Sequence, residues 1–186
     1  SSVELYNAYY TSGFYNHIVL YASYPIESRN VESDNLLKTF KHELTHNFTY
    51  NLKSDFWKSV DNVLGDIINP SFMLVTSGMA EGATVTAESA DGEGRLNNEF
   101  EKQSVKQAKI EGRFPKFNDV QGSRDVYPSG SFYYFNGAFH KWLQDKYGLE
   151  KYAQWWFDCV NFKSITIRNS FKKVYGIKLT RAWQLF

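Results

Sequence analysis

Five consecutive residues, His42, Glu43, Leu44, Thr45 and His46, carry the densest chemistry in the sequence. On an α-helix, side chains four apart lie one above the other, with Cβ atoms about 5–6 Å apart. His42 and His46 can therefore aim two imidazoles at one point, which is the grip a zinc ion needs. Glu43 is rotated slightly off that face, so its carboxylate sits beside the metal and is free to act as a base. A solvated helix can carry the same residues, but two of only four histidines at this spacing around a glutamate is a poor match to chance. Leu37, Phe40, Leu44 and Phe48 form an apolar stripe nearly opposite the histidines, so one face is expected to pack into a core and the other to line a cleft.

Catalytic zinc usually takes three protein ligands and leaves a fourth position for water. The stretch from Thr76 to Glu88 supplies candidates for the third. It reads as a helix capped by Ser77 and stopped at Asp91 and Gly92, with an interior of Gly and Ala that lets another helix approach its backbone closely. If it packs against the histidine helix, Glu81 is the natural third donor. Glu88 lies seven residues on, on the same face, and competes with it. The smaller neighbours of Glu81 favour Glu81, and the alternative for each carboxylate is a solvated or ligand-supporting role.

The pattern His-Glu-Leu-Thr-His followed by Ala80-Glu81-Gly82-Ala83 resembles the gluzincin metallopeptidases, the thermolysin and aminopeptidase N-like group. The resemblance implies His42, His46 and Glu81 as zinc ligands and Glu43 as general base. It extends to Glu88, which falls where that group often has a second glutamate. Tyr134-Phe135-Asn136-Gly137 is similar to the Tyr-x-x-Gly element of the aminopeptidase N-like members, which implies that Tyr134 supports the oxyanion. Tyr127 and Tyr133 can replace it, and an aromatic helix face in a core is the plain alternative. The interval from His46 to Glu81 is longer than usual for the group, and residues 53–70 read as an insertion. A Gly-x-Met-x-Asn exopeptidase element is absent from residues 1–41. The implied fold is an α+β, mostly helical zincin (thermolysin-like) catalytic domain with a small N-terminal sheet. The implied cofactor is Zn2+, the substrate a peptide or protein, and the setting a secreted or cell-surface bacterial protein. The rival reading is a zincin-fold module, weak or inactive in catalysis, that binds protein or glycan through its aromatic residues, 18% of the chain.

The elements that must position these groups follow from the rest of the sequence. At 186 residues the chain is one ordinary domain, residues 1–186, and long enough to bury a sizeable core. A formal charge of +1 gives no electrostatic reason for nucleic acid or an anionic membrane as partner. No apolar run approaches the roughly 20 residues of a membrane span. A start at Ser1 without a signal-peptide pattern reads as a processed form or excised domain, with additional domains in the full-length protein.

Residues 14–24 read as a strand ending at Pro25, with His17 as an ordinary strand residue. Ser33 or Asp34 can cap the histidine helix. A second helix is expected over 55–68, between Ser54 and Pro70, and a polar one over 98–111. Residues 112–130 read as loop over the cleft. Helices follow over 131–147, 149–160 and 164–175, two of them stopped by Gly148 and Gly176. His140 reads as structural and Cys159, among Trp155, Trp156 and Phe157, as a buried small hydrophobe. The sequon at Asn47 is discounted, because a glycan there would sit at the cleft.

Overall fold

A computed structural model of the chain describes residues 8–11, 16–20, 35–122 and 130–186. It is mostly helical with one two-stranded sheet. Strands β1 (Ala8–Thr11) and β2 (His17–Leu20) pair antiparallel, with Tyr10 opposite Ile18. Then come α1 (Asn35–Tyr50), α2 (Asp55–Leu64), α3 (Ser77–Glu88), α4 (Glu99–Ile110), α5 (Ser131–Tyr147), α6 (Leu149–Val160), α7 (Ile167–Tyr175) and α8 (Leu179–Leu185). Short 3-10 turns lie at Pro70–Met73, Arg95–Asn97 and Phe117–Val120. Among the described residues, no helix is long and apolar enough to cross a membrane.

Helix α3 is the keel. Its Gly and Ala content does what the sequence suggests, with α5 as its tightest partner and α1 on its other side. A Cβ on Gly82 would come within 2.9 Å of Asn136 Cβ, and one on Gly137 would overlap Val85. Gly therefore stands at both crossing points because any larger residue would push the helices apart. Fully buried Asn136 locks the crossing. Its amide donates to Phe132 O at 2.8 Å and Val120 O at 2.6 Å, and its carbonyl accepts from Gln121 at 2.9 Å.

Beyond α5, an aromatic core gathers Phe117, Phe139, Trp155, Phe171 and Trp183, with Cys159 buried inside it as expected. His140 is buried there as well, its Nδ1 2.7 Å from Tyr152 Oη, and burial drives its pKa down to about 3, so it stays neutral and structural. From this core, Trp156 reaches back to donate to Thr49 O at 3.1 Å, and the Asn161 amide donates to Leu52 O at 2.9 Å. These two bonds fix the C-terminal end of α1.

Several expectations change. The apolar stripe on α1 does not pack inward: Leu37 is 58% and Phe48 66% exposed, while His42, Glu43 and His46 are buried. Periodicity shows that two faces differ, but the neighbours decide which one is covered. Helix α2 ends at Leu64, short of residue 68, and buries none of its residues. Thr76, not Ser77, caps α3 by accepting from Met79 N, and the helix stops at Glu88. Of the loop expected over 112–130, residues 123–129 lie outside the described residues, and 112–122 line none of the cleft, because Phe117 and Val120 are apolar enough to enter the core instead. Helix α7 starts at Ile167 behind a Thr166 cap, and α8 is an element the sequence does not announce. The strand expected over 14–24 is seen as β2. Residues 21–34, with both proposed caps of α1, lie outside the described residues, and so does Tyr127.

Candidate metal centre

The histidine helix and the Glu-Gly helix meet as their sequences suggest. Within α1 the rings of His42 and His46 stand edge to face with centroids 5.0 Å apart. From α3, Glu81 Oε2 lies 3.0 Å from His42 Nε2 and 3.4 Å from His46 Nε2. One ligand atom from each of the three residues falls within 4.8 Å of the others. A tetrahedral ion with bonds of about 2.0–2.1 Å holds neighbouring donors about 3.3 Å apart, so both contacts to Glu81 match the edges of such a tetrahedron.

The donor chemistry fits a divalent metal: two imidazoles and one carboxylate, all three lining the cleft. Glu88 is not part of this triangle. Its Oε2 lies 2.9 Å from His42 Nδ1, so it takes the far nitrogen of the ring and leaves Nε2 to face Glu81. That is the arrangement by which a carboxylate orients a metal-ligating histidine. Among the described residues, buried His46 Nδ1 has no hydrogen-bond partner.

Charge is balanced locally. Burial alone would depress the His42 pKa, but hydrogen bonds to Glu81 and Glu88 outweigh it and raise it to about 9. Burial would raise Glu81, but His42 and His46 bring it down to about 2. The Glu43 carboxyl moves the other way. Burial raises it, against the lowering effect of the two histidines and of a hydrogen bond from the Tyr10 backbone, which ties β1 to the carboxylate.

In front of the centre lies a cleft of about 400 Å³. Its walls are β1, the buried faces of α1 and α3, Tyr50, Phe72 and Tyr133. Tyr50 stacks on His46 with ring centroids 5.9 Å apart and meets Phe72 at 5.7 Å. Tyr134 is not in the wall. It is buried, with its phenol raised to about 12 by burial and by the charges of Glu101 and Glu99. Tyr133 faces the cleft instead, its ring 6.4 Å from that of His42. Neighbouring helical residues point about 100° apart, so one step along α5 moves a phenol from the cleft to the flank. Sequence reasoning also missed Ala8–Thr11, Tyr50 and Phe72. The aromatic run at the N-terminus and the placement of Tyr50 one turn after His46 were the available signals.

Comparison with known proteins adds little. No family model and no solved structure matches the chain. A Treponema pallidum (strain Nichols) protein described only as an uncharacterized protein is 33% identical over 154 residues, which cover 82% of this chain. The chain spans 13% of that relative's length.

Proposed function

We propose that this chain is a gluzincin-type zinc metallopeptidase unit of zincin fold, which hydrolyses peptide bonds in the cleft between β1 and α1. The observation that carries the reading is the triangle of His42, His46 and Glu81, with Glu43 buried beside it and outside it. His42, His46 and Glu81 would hold a divalent metal, which when bound would acidify a water and act as a Lewis acid toward a carbonyl oxygen.

The chain's own groups do the rest. Glu43 accepts a proton from the attacking water and later delivers it to the leaving amine. Burial raises its pKa, which makes the carboxylate a stronger base than an exposed one and a better proton store between the two steps. Glu88 keeps His42 in one tautomer and one orientation. Tyr133 presents a phenol at the cleft wall, where a donor can stabilise charge that develops on the carbonyl oxygen. Tyr9, Tyr10, Tyr50 and Phe72 give the substrate apolar surfaces to lie against and limit water around it.

The aromatic wall also favours a second reading, a module that binds protein or glycan without turnover. A digest of a broad peptide library separates the two. The zinc-loaded protein is expected to cut peptides, to stop when a chelator is added, and to lose most activity in Glu43→Gln while keeping its metal. A zinc-loaded wild-type protein that cuts nothing overturns the peptidase reading in favour of the binding module.

A further inference from the structure

Behind the metal triangle, one side chain reaches two separate parts of the site. Glu88 uses one oxygen for His42 Nδ1, at 2.9 Å. Its other oxygen, Oε1, accepts from the Arg95 backbone N–H at 3.4 Å and faces Arg95 Nε at 3.7 Å. The same guanidinium lies over the ring of Tyr133, 4.7 Å from its centroid. Arg95 thus touches the carboxylate that orients a ligand and the aromatic that walls the cleft.

The turn that carries Arg95 is built to hold this position. Gly94 sits at a φ of 77°, and a Cβ there would come within 2.8 Å of Glu88 O and 2.7 Å of Ser89 Oγ. Only glycine lets the chain fold back so closely on the end of α3. Ser89 then pins the turn: its Oγ accepts from Leu96 N at 3.1 Å and its carbonyl from the Asn97 amide at 2.9 Å. Glu101, on α4, attracts the same guanidinium electrostatically.

We propose that Arg95 is a positioning residue of the metal centre: through Glu88 it holds His42 with Nε2 toward the metal, and through its planar contact it holds Tyr133 at the cleft wall. This rests on the metal-centre reading above. An Arg suits the task better than a Lys because one flat, permanently charged group can satisfy a carboxylate at its edge and an aromatic ring on its face.

The test reads metal affinity, so it needs no turnover. Zn2+ affinity is measured by competition with a chromophoric chelator, and the Co2+-substituted protein gives a visible spectrum that reports ligand geometry. Arg95→Ala is expected to bind Zn2+ about 10-fold or more weakly, with a shifted Co2+ spectrum, in the range typical for groups that support metal ligands. In the Glu88→Gln background the same change is expected to cost almost nothing further, because Arg95 acts through that carboxylate. Arg95→Lys keeps the charge without the flat fork, and should recover only part of the affinity. Arg95→Gln keeps a planar group but not the charge, and should recover none; it carries the same test if Arg95→Ala does not fold.

Wild-type affinity and spectrum in Arg95→Ala or Arg95→Gln overturn the proposal, as do fully additive losses with Glu88→Gln. Failure of the underlying reading looks different, since the wild-type protein itself would then hold neither ion.

Discussion

Glu81 Oε2 lies 3.0 Å from His42 Nε2 although 39 positions separate the two residues, and the excursion of residues 53–76 between them leaves their meeting intact. Helix α2 in that excursion buries none of its side chains, whereas α3 is buried along most of its length. The contact is set by how closely α1 and α3 each seat against their neighbours, and the connection returns to the core at Pro70 and Ser71 and lends Phe72 to the cleft wall.

Glu81 and Glu88 flank the same imidazole on opposite nitrogens, which separates their expected roles. Glu81→Ala removes a donor from the triangle and should abolish stable metal binding. Glu88→Ala should retain binding and weaken it by about 10- to 100-fold, the usual range for a carboxylate behind a ligating histidine. Metal titration of both variants checks this. Equal loss in both would place Glu88 among the ligands.

The two neighbouring tyrosines on α5 make opposite predictions. If Tyr133 donates to the developing oxyanion, Tyr133→Phe should lower kcat by roughly 10² to 10³ with KM little changed. Tyr134→Phe, whose hydroxyl lies on the flank near Glu99 and Glu101, should retain wild-type kcat. Steady-state kinetics on the two variants, with metal content verified, decides between the positions. The reverse result restores the Tyr-x-x-Gly alignment at Tyr134.

Proton linkage gives a pH signature. In the metal-free protein His42 titrates at about 9, against 6.5 for an unperturbed histidine, so its pairing adds stability that is complete below about pH 6.5 and lost as pH rises through 9. Glu81, held at about 2 against 4.5, adds stability that is complete above about pH 4.5 and lost as pH falls through 2. Metal binding requires neutral His42, so Zn2+ affinity should climb about tenfold per pH unit between pH 6.5 and 9. Thermal melts should then show the metal-free protein weakening over this interval, while the loaded protein holds or gains. A pH-independent affinity would exclude His42 as a ligand that must lose a proton.

The helix crossing that seats Glu81 is equally open to test. Gly137→Ala drives a methyl into Val85 and should destabilise the fold by about 1–3 kcal/mol. Gly82→Ala should cost a similar amount, because its new methyl meets Asn136. At exposed Gly112, where a Cβ meets nothing but φ is +67°, only the backbone penalty remains, so Gly112→Ala should cost less than either. Thermal or urea unfolding ranks the three.

What the sequence makes legible here is local. His42, Glu43 and His46 share one helix by spacing alone, and the Gly and Ala of α3 announce a close helix approach by composition alone. Helices α5 and α6 are read to the residue because Gly148 separates them and both carry apolar periodicity. The rest depends on neighbours. Leu37 and Phe48 look like core residues, yet the buried face of α1 is the polar one, since α3 and β1 cover it. Phe117 and Val120 are too few to signal that a loop enters the core. The choice between Tyr133 and Tyr134 turns on a rotation of about 100°, finer than an alignment of one short motif resolves.

Whether His42, His46 and Glu81 hold one divalent metal can be read from anomalous diffraction at the zinc edge, using crystals of the protein prepared with Zn2+. One strong peak is expected about 2.0–2.2 Å from both histidine Nε2 atoms and a Glu81 carboxylate oxygen, with Glu43 outside bonding distance. No peak at this position, or a peak bonded to Glu43 or Glu88 in place of Glu81, would contradict the assignment.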